Sequence, residues 1–466
     1  MARRLNKTAT VIISIIVVII VTAVVTIICL EGNSYTSKGK AYNLVQIDLS
    51  NRASFVEGSQ YDYLYENIVI DDDSDYMAHP DSILINDKLV TMYVNGHGKG
   101  PILTKVSLDG GLTYSDRLQN TPSSWEHSEE TPTLFKLEFK NGDVRYIMVS
   151  ANPKWSGYTS GDGFNVSISQ TSNYDDFSTW SEFQKFYGKN DPVKYVDCIV
   201  AMSSLVHLKE NGEFVDKWMG IFHDHDFKNY KTILSFDEEG NMVWSTPTEY
   251  FKGLKGDYFD IAKKTNMCEV LMFRNDNNTG DILCLITRSN TKKCNSLISF
   301  SYDEGETWSE PKEIFSALNG ERHKLVYTND GRIAITFRSI EREEEGVKKY
   351  AEPFRNFYSQ GWIMWVGTWD DLMNYYCGFS DSEGQYRIKL AHTYLSKQTA
   401  PQISANADTG YAGNVVLSDG TIVTTSYGTF SPLELNSEGD YKTYIVSKRI
   451  KLTDVDEIYN LYLQNS

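Results

Sequence analysis

The chain has 466 residues and a formal net charge of −17 at pH 7. This acidity argues against a nucleic-acid partner and against binding to an anionic membrane surface. It also provides no long-range attraction for an anion, so an acidic ligand would have to be held by a local cluster of cationic side chains. The six cysteines have no C-x-x-C spacing, which supports neither a zinc site nor a disulfide framework.

The N-terminal part of the sequence contains a long apolar segment. Residues 9–30 carry no charge and are dominated by Val and Ile. The segment is long enough to span a bilayer, and it exceeds the apolar stretch of a signal peptide, which is about 7–15 residues. Arg3, Arg4 and Lys7 precede it, so the positive-inside rule predicts that residues 1–8 are cytoplasmic.

We therefore expect a single-pass type II protein of the cell membrane, with residues 9–30 as its signal anchor. Residues 31–60 are interpreted as a stalk or linker. Residues 61–466 are interpreted as one extracellular domain, because no Gly/Ser-rich or Pro-rich linker interrupts them. A signal peptide that is removed is the alternative for the apolar segment.

Four copies of one short pattern recur along the chain. They are Ser107 to Tyr114, Ser172 to Trp180, Ser235 to Trp244 and Ser301 to Trp308. Their central aspartates are 66, 62 and 66 residues apart. An Asp followed by Gly-rich residues is typical of a hairpin turn, where the carboxylate accepts hydrogen bonds from nearby backbone N–H groups. A near-constant period of this size indicates a repeated supersecondary unit.

The pattern resembles the Asp box, Ser-x-Asp-x-Gly-x-Thr-Trp, which in the families that carry it stabilises the blade hairpins of β-propellers away from the active site. A fifth, eroded equivalent is expected at Asp370, and the alternating run at residues 332–337 is typical of a strand. At about 65 residues per repeat, the chain accommodates six blades. The predicted fold class is an all-β, six-bladed β-propeller with Asp boxes, preceded by one N-terminal transmembrane helix.

The second half of the sequence resembles the exo-sialidases, which combine Asp boxes with a propeller. In those enzymes a Glu near the start of an inner strand is followed by an Arg, and here Arg288 follows Glu269 by 19 residues. Sialidases also carry a nucleophilic Tyr shortly before an Asp-Gly turn, and Tyr411 stands in this position. Arg387 precedes that Tyr by 24 residues, where an Arg of the sialidase carboxylate clamp is expected.

The resemblance implies hydrolysis of terminal sialic acid from glycans or glycoproteins, with retention of configuration and without a cofactor. Arg288, Arg387 and Arg322 would bind the substrate carboxylate, since guanidinium groups bind carboxylates bidentately. Tyr411 would attack the anomeric carbon, because its neutral oxygen is not repelled by the neighbouring carboxylate. Glu269 would accept the phenol proton.

The first half departs from the sialidase pattern. Ala78 stands where the first clamp Arg is expected, and the loop at residues 95–101 contains no Asp to act as the general acid. We propose Asp81 or Glu130 as the replacement acid/base. The further candidates for substrate binding are Arg274, Arg338, His79, His97 and Lys99.

Each residue also has a structural interpretation. Tyr411 would then pack within a strand, Glu269 and Arg288 would form an ion pair across strands, and Asp81 would belong to a turn. The function therefore remains open between an exo-sialidase, a propeller glycosidase for another sugar and a non-catalytic glycan-binding or adhesion propeller. Hydrolysis and trans-glycosylation are not distinguished by the sequence.

The run His223-Asp224-His225-Asp226 is the densest group of metal-ligand residue types. Strand alternation would place the two His on one face and the two Asp on the other. A metal site requires ligands that converge from several elements, so we expect no metal ion and no cofactor.

Overall fold

The computed structural model describes residues 44–96, 100–128, 130–152, 163–187, 196–250, 265–291, 294–339, 341–344, 347–350, 361–393, 408–431, 433–437, 439 and 442–465. The strands in these ranges form the six blades of a β-propeller, as predicted. The segment 9–30 and the candidates His97 and Lys99 lie outside the described residues. Among the residues that are described, no helix is long and apolar enough to cross a membrane.

Consecutive antiparallel strands build each blade. Two N-terminal strands are β1 (Val45–Asp48) and β2 (Ile68–Asp71). Blade 1 contains β3 (Met77–Ile85), β4 (Lys88–Asn95) and β5 (Ile102–Ser107), and blade 2 contains β6 (Glu130–Glu138), β7 (Val144–Ala151), β8 (Phe164–Ile168) and β9 (Gln184–Phe186). Blade 3 contains β10 (Leu205–Glu210), β11 (Glu213–His223), β12 (Asn229–Phe236), β13 (Met242–Trp244) and β14 (Thr248–Glu249).

The second half of the chain forms the other three blades. Blade 4 contains β15 (Met267–Arg274), β16 (Leu283–Ser289), β17 (Leu297–Ser301) and β18 (Lys312–Glu313). Blade 5 contains β19 (Gly320–Tyr327), β20 (Ile333–Ser339), β23 (Trp362–Gly367) and β24 (Tyr386–Ala391), with a separate hairpin of β21 (Glu341–Glu344) and β22 (Val347–Tyr350). Blade 6 contains β25 (Gly413–Val416), β26 (Ile422–Gly428) and β27 (Tyr444–Ile450). Two helices in the described part of the chain are α1 (Trp369–Cys377) and α2 (Leu452–Asn465).

The N-terminal strands close the ring by joining the last two blades. β2 pairs antiparallel with β27 and completes blade 6. β1 pairs parallel with β24 and adds a fifth strand to blade 5. The prediction of a linker at residues 31–60 is therefore wrong for its last part, because residues 45–48 are held in a sheet and Val56 is fully buried.

The four repeated motifs occupy one topological position. Each turn follows the third strand of its blade, after β5, β8, β12 and β17 respectively. In the copy at Asp303, the carboxylate accepts hydrogen bonds from the Ser301 hydroxyl and from the Thr307 backbone N–H, at 2.9 and 2.8 Å. Asp109 makes the same two contacts with Ser107 and Thr113. These turns thus fix hairpins at the outer part of the blades.

In blades 5 and 6, a helix follows the third strand in place of the repeated motif. Asp370, predicted as a fifth copy, lies in α1, which connects the third and fourth strands of blade 5. α2 follows the last strand and buries Leu452, Val455 and Ile458 against the apolar core. Its apolar side chains recur at helical spacing over one short segment, which is a weak sequence signal.

The core lies between neighbouring blades. All eight residues of β15 are buried, as are all the residues of β20 and β23. A blade is covered on both faces by its neighbours, so its central strands read as continuous apolar runs rather than alternating ones. Buried polar side chains are therefore unusual in these strands, and several of them lie close together in space.

Candidate active site

Four innermost strands share one irregularity near their first residues. The strand pairing shifts at this point in β3, β6, β15 and β19. The residues there have positive φ angles, 52° at His79, 29° at Thr131, 50° at Glu269 and 53° at Arg322. A bulge of this kind redirects side chains, and here it brings His79, Glu269 and Arg322 to the surroundings of Tyr411.

Tyr411, Glu269 and Arg288 form one hydrogen-bonded group. The Tyr411 hydroxyl donates a hydrogen bond to Oε1 of Glu269. Nη1 of Arg288 donates to the same hydroxyl oxygen at 3.0 Å and lies 3.1 Å from Oε2 of Glu269. Glu269 is 5% and Tyr411 is 7% exposed, so these contacts are made with little water. The structure thus brings together three of the residues predicted from the sialidase resemblance.

The electrostatics place the proton on the phenol. Burial acts to raise the pKa of Glu269, but the charges of Arg288 and Arg322 and the hydrogen bond from Tyr411 lower it to about 2. Burial and the charge of Glu269 raise the pKa of Tyr411 well above its usual value of 10.0. Near pH 7 the pair is therefore a neutral phenol next to a carboxylate, which is the arrangement that a proton acceptor and a nucleophile require.

Glu321 joins two arginines at this site. Its carboxylate oxygens lie 3.1 Å from Nη2 of Arg288 and 3.1 Å from Nη1 of Arg338. The guanidinium carbon of Arg338 lies 4.7 Å from the centroid of the Tyr411 ring, within cation–π distance. Glu321 is 2% exposed, so it holds both guanidinium groups in fixed positions beside the tyrosine.

A second carboxylate fixes the other side of Arg338. Nη2 of Arg338 lies 3.0 Å from Oδ1 of Asp408 and donates to the Tyr427 hydroxyl at 2.9 Å. The hydroxyls of Tyr427 and Tyr76 both donate to Asp408. This network extends the site from blade 5 to blade 6 and orients Arg338 rigidly.

Arg322 is the third arginine at the tyrosine. Its guanidinium carbon lies 5.7 Å from the centroid of the Tyr411 ring. It donates to the backbone carbonyl of Ala201 at 2.9 Å and to the hydroxyl of Thr133 at 2.8 Å. Its hydrogen-bond acceptors are thus neutral groups, whereas Arg288 and Arg338 are paired with carboxylates.

His79 and Glu130 lie on the blade 1 side of the tyrosine. Nδ1 of His79 is 3.2 Å from Oε2 of Glu130, and both side chains are 3% exposed. The His79 ring centroid is 5.0 Å from that of Tyr411. These two residues therefore form a buried acid–base pair against the predicted nucleophile.

Asp81 has a different environment. Its Oδ2 accepts from the backbone N–H of Leu134 and from Nζ of Lys324, both at 2.9 Å. Its Oδ1 accepts from the backbone N–H of Ser82 at 2.9 Å. These contacts connect β3 to β6 through Leu134 and to β19 through Lys324, so Asp81 holds β3 in place.

Two predicted substrate-binding residues do not belong to this group. Arg387 lies on β24, the fourth strand of blade 5, and donates to the Ser316 carbonyl at 2.8 Å and the Ser339 hydroxyl at 3.1 Å. Arg274 ends β15, at the opposite end from Glu269, and is paired with Glu304. The structure thus does not bring Arg387 together with Arg288 and Arg322, whereas Arg338 approaches the Tyr411 ring.

Some residues of the site were not predicted. Glu321 lies directly before Arg322, and this adjacency was its only sequence signal. Asp408 and Tyr427 have no sequence signal, since they reach the site from blade 6 through tertiary contacts. Among the described residues, no group of three His, Cys, Asp or Glu side chains is arranged to hold a metal ion.

Comparison with known proteins gives fold-level similarity only. No family model and no curated protein matches the sequence. A solved protein of unknown function from Dyadobacter fermentans has a TM-score of 0.52 and 13% identity, over 82% of this chain and 97% of that one. An α-L-arabinofuranosidase, Arb93A from Fusarium graminearum, has a TM-score of 0.49 and 11% identity, over 83% of this chain and 98% of that one.

A sialidase is also among the similar structures. The NanB sialidase from Streptococcus pneumoniae has a TM-score of 0.46 and 11% identity, over 83% of this chain and 70% of that one. At these identities the likeness concerns the propeller fold. The chemistry of this chain has to be argued from its own residues.

Proposed function

We propose that this protein is a retaining exo-glycosidase of the sialidase type, which releases terminal sialic acid from glycans or glycoproteins. The observation that carries the proposal is the contact of the Tyr411 hydroxyl with Glu269 and Arg288. A neutral phenol next to an ionised carboxylate can attack an anomeric carbon while passing its proton to that carboxylate. Among glycosidases, a tyrosine nucleophile suits a substrate that carries its own negative charge at the reacting centre.

The three arginines around the tyrosine support an acidic substrate. Arg288, Arg322 and Arg338 lie on three strands of blades 4 and 5 and all approach the Tyr411 side chain. Guanidinium groups bind carboxylates bidentately in a partly dehydrated site. Because Arg322 has neutral acceptors in this structure, it is the arginine with the most positive charge to offer a substrate.

Glu130 is our candidate for the acid that protonates the leaving group. It is buried next to His79, which packs against the tyrosine ring. Asp81 is held by a lysine and two backbone N–H groups and is therefore the weaker candidate. In the proposed reaction Glu130 donates a proton to the glycosidic oxygen and later removes one from the attacking water.

A propeller glycosidase for a neutral sugar is the second candidate. The ion pairs of the site favour it, because Arg288 is already paired with Glu269 and Glu321, and Arg338 with Glu321 and Asp408. A substrate carboxylate would have to compete with these partners. A neutral sugar would instead use the arginines as hydrogen-bond donors.

A panel of fluorogenic glycosides tests the proposal. We expect the α-sialoside to be cleaved and the α-L-arabinofuranoside and neutral pyranosides to be left intact. Tyr411→Phe should abolish turnover while binding of free sialic acid persists. Cleavage of neutral substrates alone would replace the first candidate by the second, and binding of sialoglycans without turnover would indicate a glycan-binding protein.

We also propose that residues 9–30 anchor the propeller in the cell membrane, with the active site outside. The support is the length and charge pattern of the sequence. Full-length protein should remain in the membrane fraction after alkaline carbonate extraction, whereas a chain that starts at residue 44 should be released. Extraction of both proteins would contradict the anchor.

A further inference from the structure

Arg338 contacts four consecutive residues that end at Tyr411. Its Nη2 lies 3.0 Å from Oδ1 of Asp408, and its Nε donates to the carbonyl of Thr409 at 2.6 Å. Gly410 has a φ angle of 85°, and a Cβ atom there would lie 2.7 Å from the Cα of Arg338. The guanidinium carbon is 4.7 Å from the centroid of the Tyr411 ring. The segment that carries the predicted nucleophile is thus packed along one arginine.

The N–H donors of Arg338 are almost fully used. Besides Asp408 and Thr409, they bind Oε2 of Glu321 at 3.1 Å and the Tyr427 hydroxyl at 2.9 Å. These contacts occupy four of the five donors of a guanidinium group, including both donors of Nη2. Bidentate binding of a carboxylate requires two neighbouring donors, so Arg338 has no free edge for a substrate carboxylate.

Arg322 differs from Arg338 in this respect. Within the described residues it donates to the carbonyl of Ala201 and to the hydroxyl of Thr133, which are both neutral acceptors. Three of its five donors are then left, and Arg322 lines a cavity together with Tyr411. Its guanidinium carbon is farther from the centroid of the Tyr411 ring, at 5.7 Å. Arg322 therefore keeps the capacity for bidentate binding that Arg338 lacks.

We propose that Arg338 is a positioning residue for Tyr411, which orients the nucleophile and stabilises the negative charge that develops on its ring, and that it does not bind the substrate. The inference rests on the proposed function of Tyr411. It divides the arginines by role, because it leaves Arg322 as the bidentate partner of the substrate carboxylate.

The proposed reaction gives this contact its effect. The phenol O–H bond breaks and the proton goes to Glu269, while the phenol oxygen bonds to the anomeric carbon. The glycosidic bond breaks at the same centre, and its oxygen takes a proton from Glu130. Negative charge grows on the phenol before the new bond is complete. A cation over the ring is therefore bound more strongly in the transition state than in the ground state.

Other charged groups act on the same phenol. Besides Arg338, the charged and titratable side chains near the Tyr411 ring or hydroxyl are Glu269, Arg288, Glu321, Arg322, His79 and Tyr427. Burial and the charge of Glu269 raise the pKa of Tyr411, whereas the charges of Arg288 and Arg338 lower it. Removal of Arg338 should therefore make the phenol less acidic.

The effect on the phenol is tested without any turnover. The protein is prepared with 3,5-difluorotyrosine, a more acidic phenol, in place of Tyr411, and its ionisation is followed by ¹⁹F NMR as a function of pH. Arg338→Met should shift this ionisation to higher pH by about one unit or more, because the cation over the ring is lost. Arg338→Lys keeps a cation and should remove most of the shift. An unchanged ionisation in Arg338→Met would overturn the proposal.

Two controls separate the cation from its surroundings. Arg387→Met removes another buried arginine of blade 5, whose guanidinium group binds Ser316 and Ser339, and it should leave the ionisation unchanged. Arg338→Met combined with Asp408→Asn removes the cation together with one of its carboxylates, and the shift should persist. If the double variant returned to the wild-type value, the unpaired Asp408 would be the cause of the shift and the proposal would fail.

The role in the reaction is tested by comparing turnover with binding. With a sialoside, kcat/KM of Arg338→Met should fall about ten- to thirtyfold, whereas the inhibition constant of free sialic acid should stay within about twofold of the wild type. Arg322→Met should weaken the binding of sialic acid at least about tenfold. Arg338→Lys should keep most of kcat/KM, since an aromatic ring accepts either cation and a bidentate carboxylate site does not.

Equal weakening of sialic acid binding in Arg338→Met and Arg322→Met would place Arg338 among the groups that bind the substrate, and it would overturn the proposal. If no glycoside is cleaved and sialic acid does not bind, the proposed function fails. The ionisation at position 411 still decides the contact in that case: a shift in Arg338→Met would support the action of Arg338 on the tyrosine, and its absence would overturn that as well.

Discussion

Lys448 provides a quantitative test of how the propeller is closed. It lies on β27, is fully buried, and its Nζ donates to the Leu49 carbonyl and to Oδ1 of Asn67, both at 3.3 Å, in the N-terminal segment that closes the ring. Burial lowers its pKa from 10.5 to about 7, against the opposing effect of Asp48 and Glu66. The folded state thus binds this proton less tightly than the unfolded chain does.

Because of Lys448, the free energy of unfolding should increase with pH above pH 7. Below pH 7 both states are protonated, and the folded state bears the cost of a buried ammonium group. Between pH 7 and 10.5 the unfolded state binds the proton and the folded state does not, so the free energy of unfolding increases with pH. From these pKa values, the gain between pH 7 and about 9.5 is about 3 kcal/mol.

The assay is urea unfolding of the wild type and of Lys448→Met at half-unit steps across this pH range. The wild type should gain about 3 kcal/mol relative to the variant, whatever the offset between the two curves at pH 7. Lys217→Met, at an exposed ion pair with Glu210, should run parallel to the wild type. Parallel curves for Lys448→Met as well would refute the reasoning, because they would mean that Lys448 keeps its ordinary pKa in the folded protein.

Three further predictions concern the site and the turns. Glu321→Ala removes the carboxylate shared by the buried Arg338 and the partly buried Arg288 and should cost about 3–5 kcal/mol of unfolding free energy, whereas Glu306→Ala, at an exposed pair, should cost about 0–1 kcal/mol; equal losses in urea unfolding would contradict the bridging role. Arg387→Met should leave kcat/KM on a sialoside within about twofold of the wild type because the Arg387 guanidinium group binds Ser316 and Ser339 rather than the group around Tyr411, and a loss above a hundredfold would restore it to the clamp. Asp303→Ala removes three hydrogen bonds at one turn and should lower the unfolding free energy by about 1–3 kcal/mol without changing KM; a changed KM would connect that turn to the substrate.

The fold was predictable because its signal is local and repeated. Each motif contains its own hydrogen bonds, as at Asp109 and Asp303, so the turn forms wherever the residues occur. The pairing of Glu269 with Arg288 was predictable for a similar reason. These residues lie on adjacent strands of one hairpin, where Cys268 pairs with Arg288, and their sequence spacing fixes their distance.

The rest of the site depends on positions that spacing does not fix. Arg387 lies at a plausible distance from Tyr411 in sequence, yet it belongs to the fourth strand of its blade and its guanidinium group binds Ser316 and Ser339 instead. Glu321 and Asp408 are recognisable only once blades 4, 5 and 6 are assembled. The bulges have no consistent sequence signal either, since a proline follows His79 but none follows Glu269.

The most direct test of the central claim is a trapping experiment with a difluorosialosyl fluoride, which forms a glycosyl-enzyme that breaks down slowly. Peptide mass spectrometry after brief labelling should find the sugar on the Tyr411 oxygen, and Tyr411→Phe should remain unlabelled under the same conditions. Labelling of Glu269 or Glu130 instead, or no labelling of an enzyme that cleaves sialosides, would contradict the assignment of Tyr411 as the nucleophile.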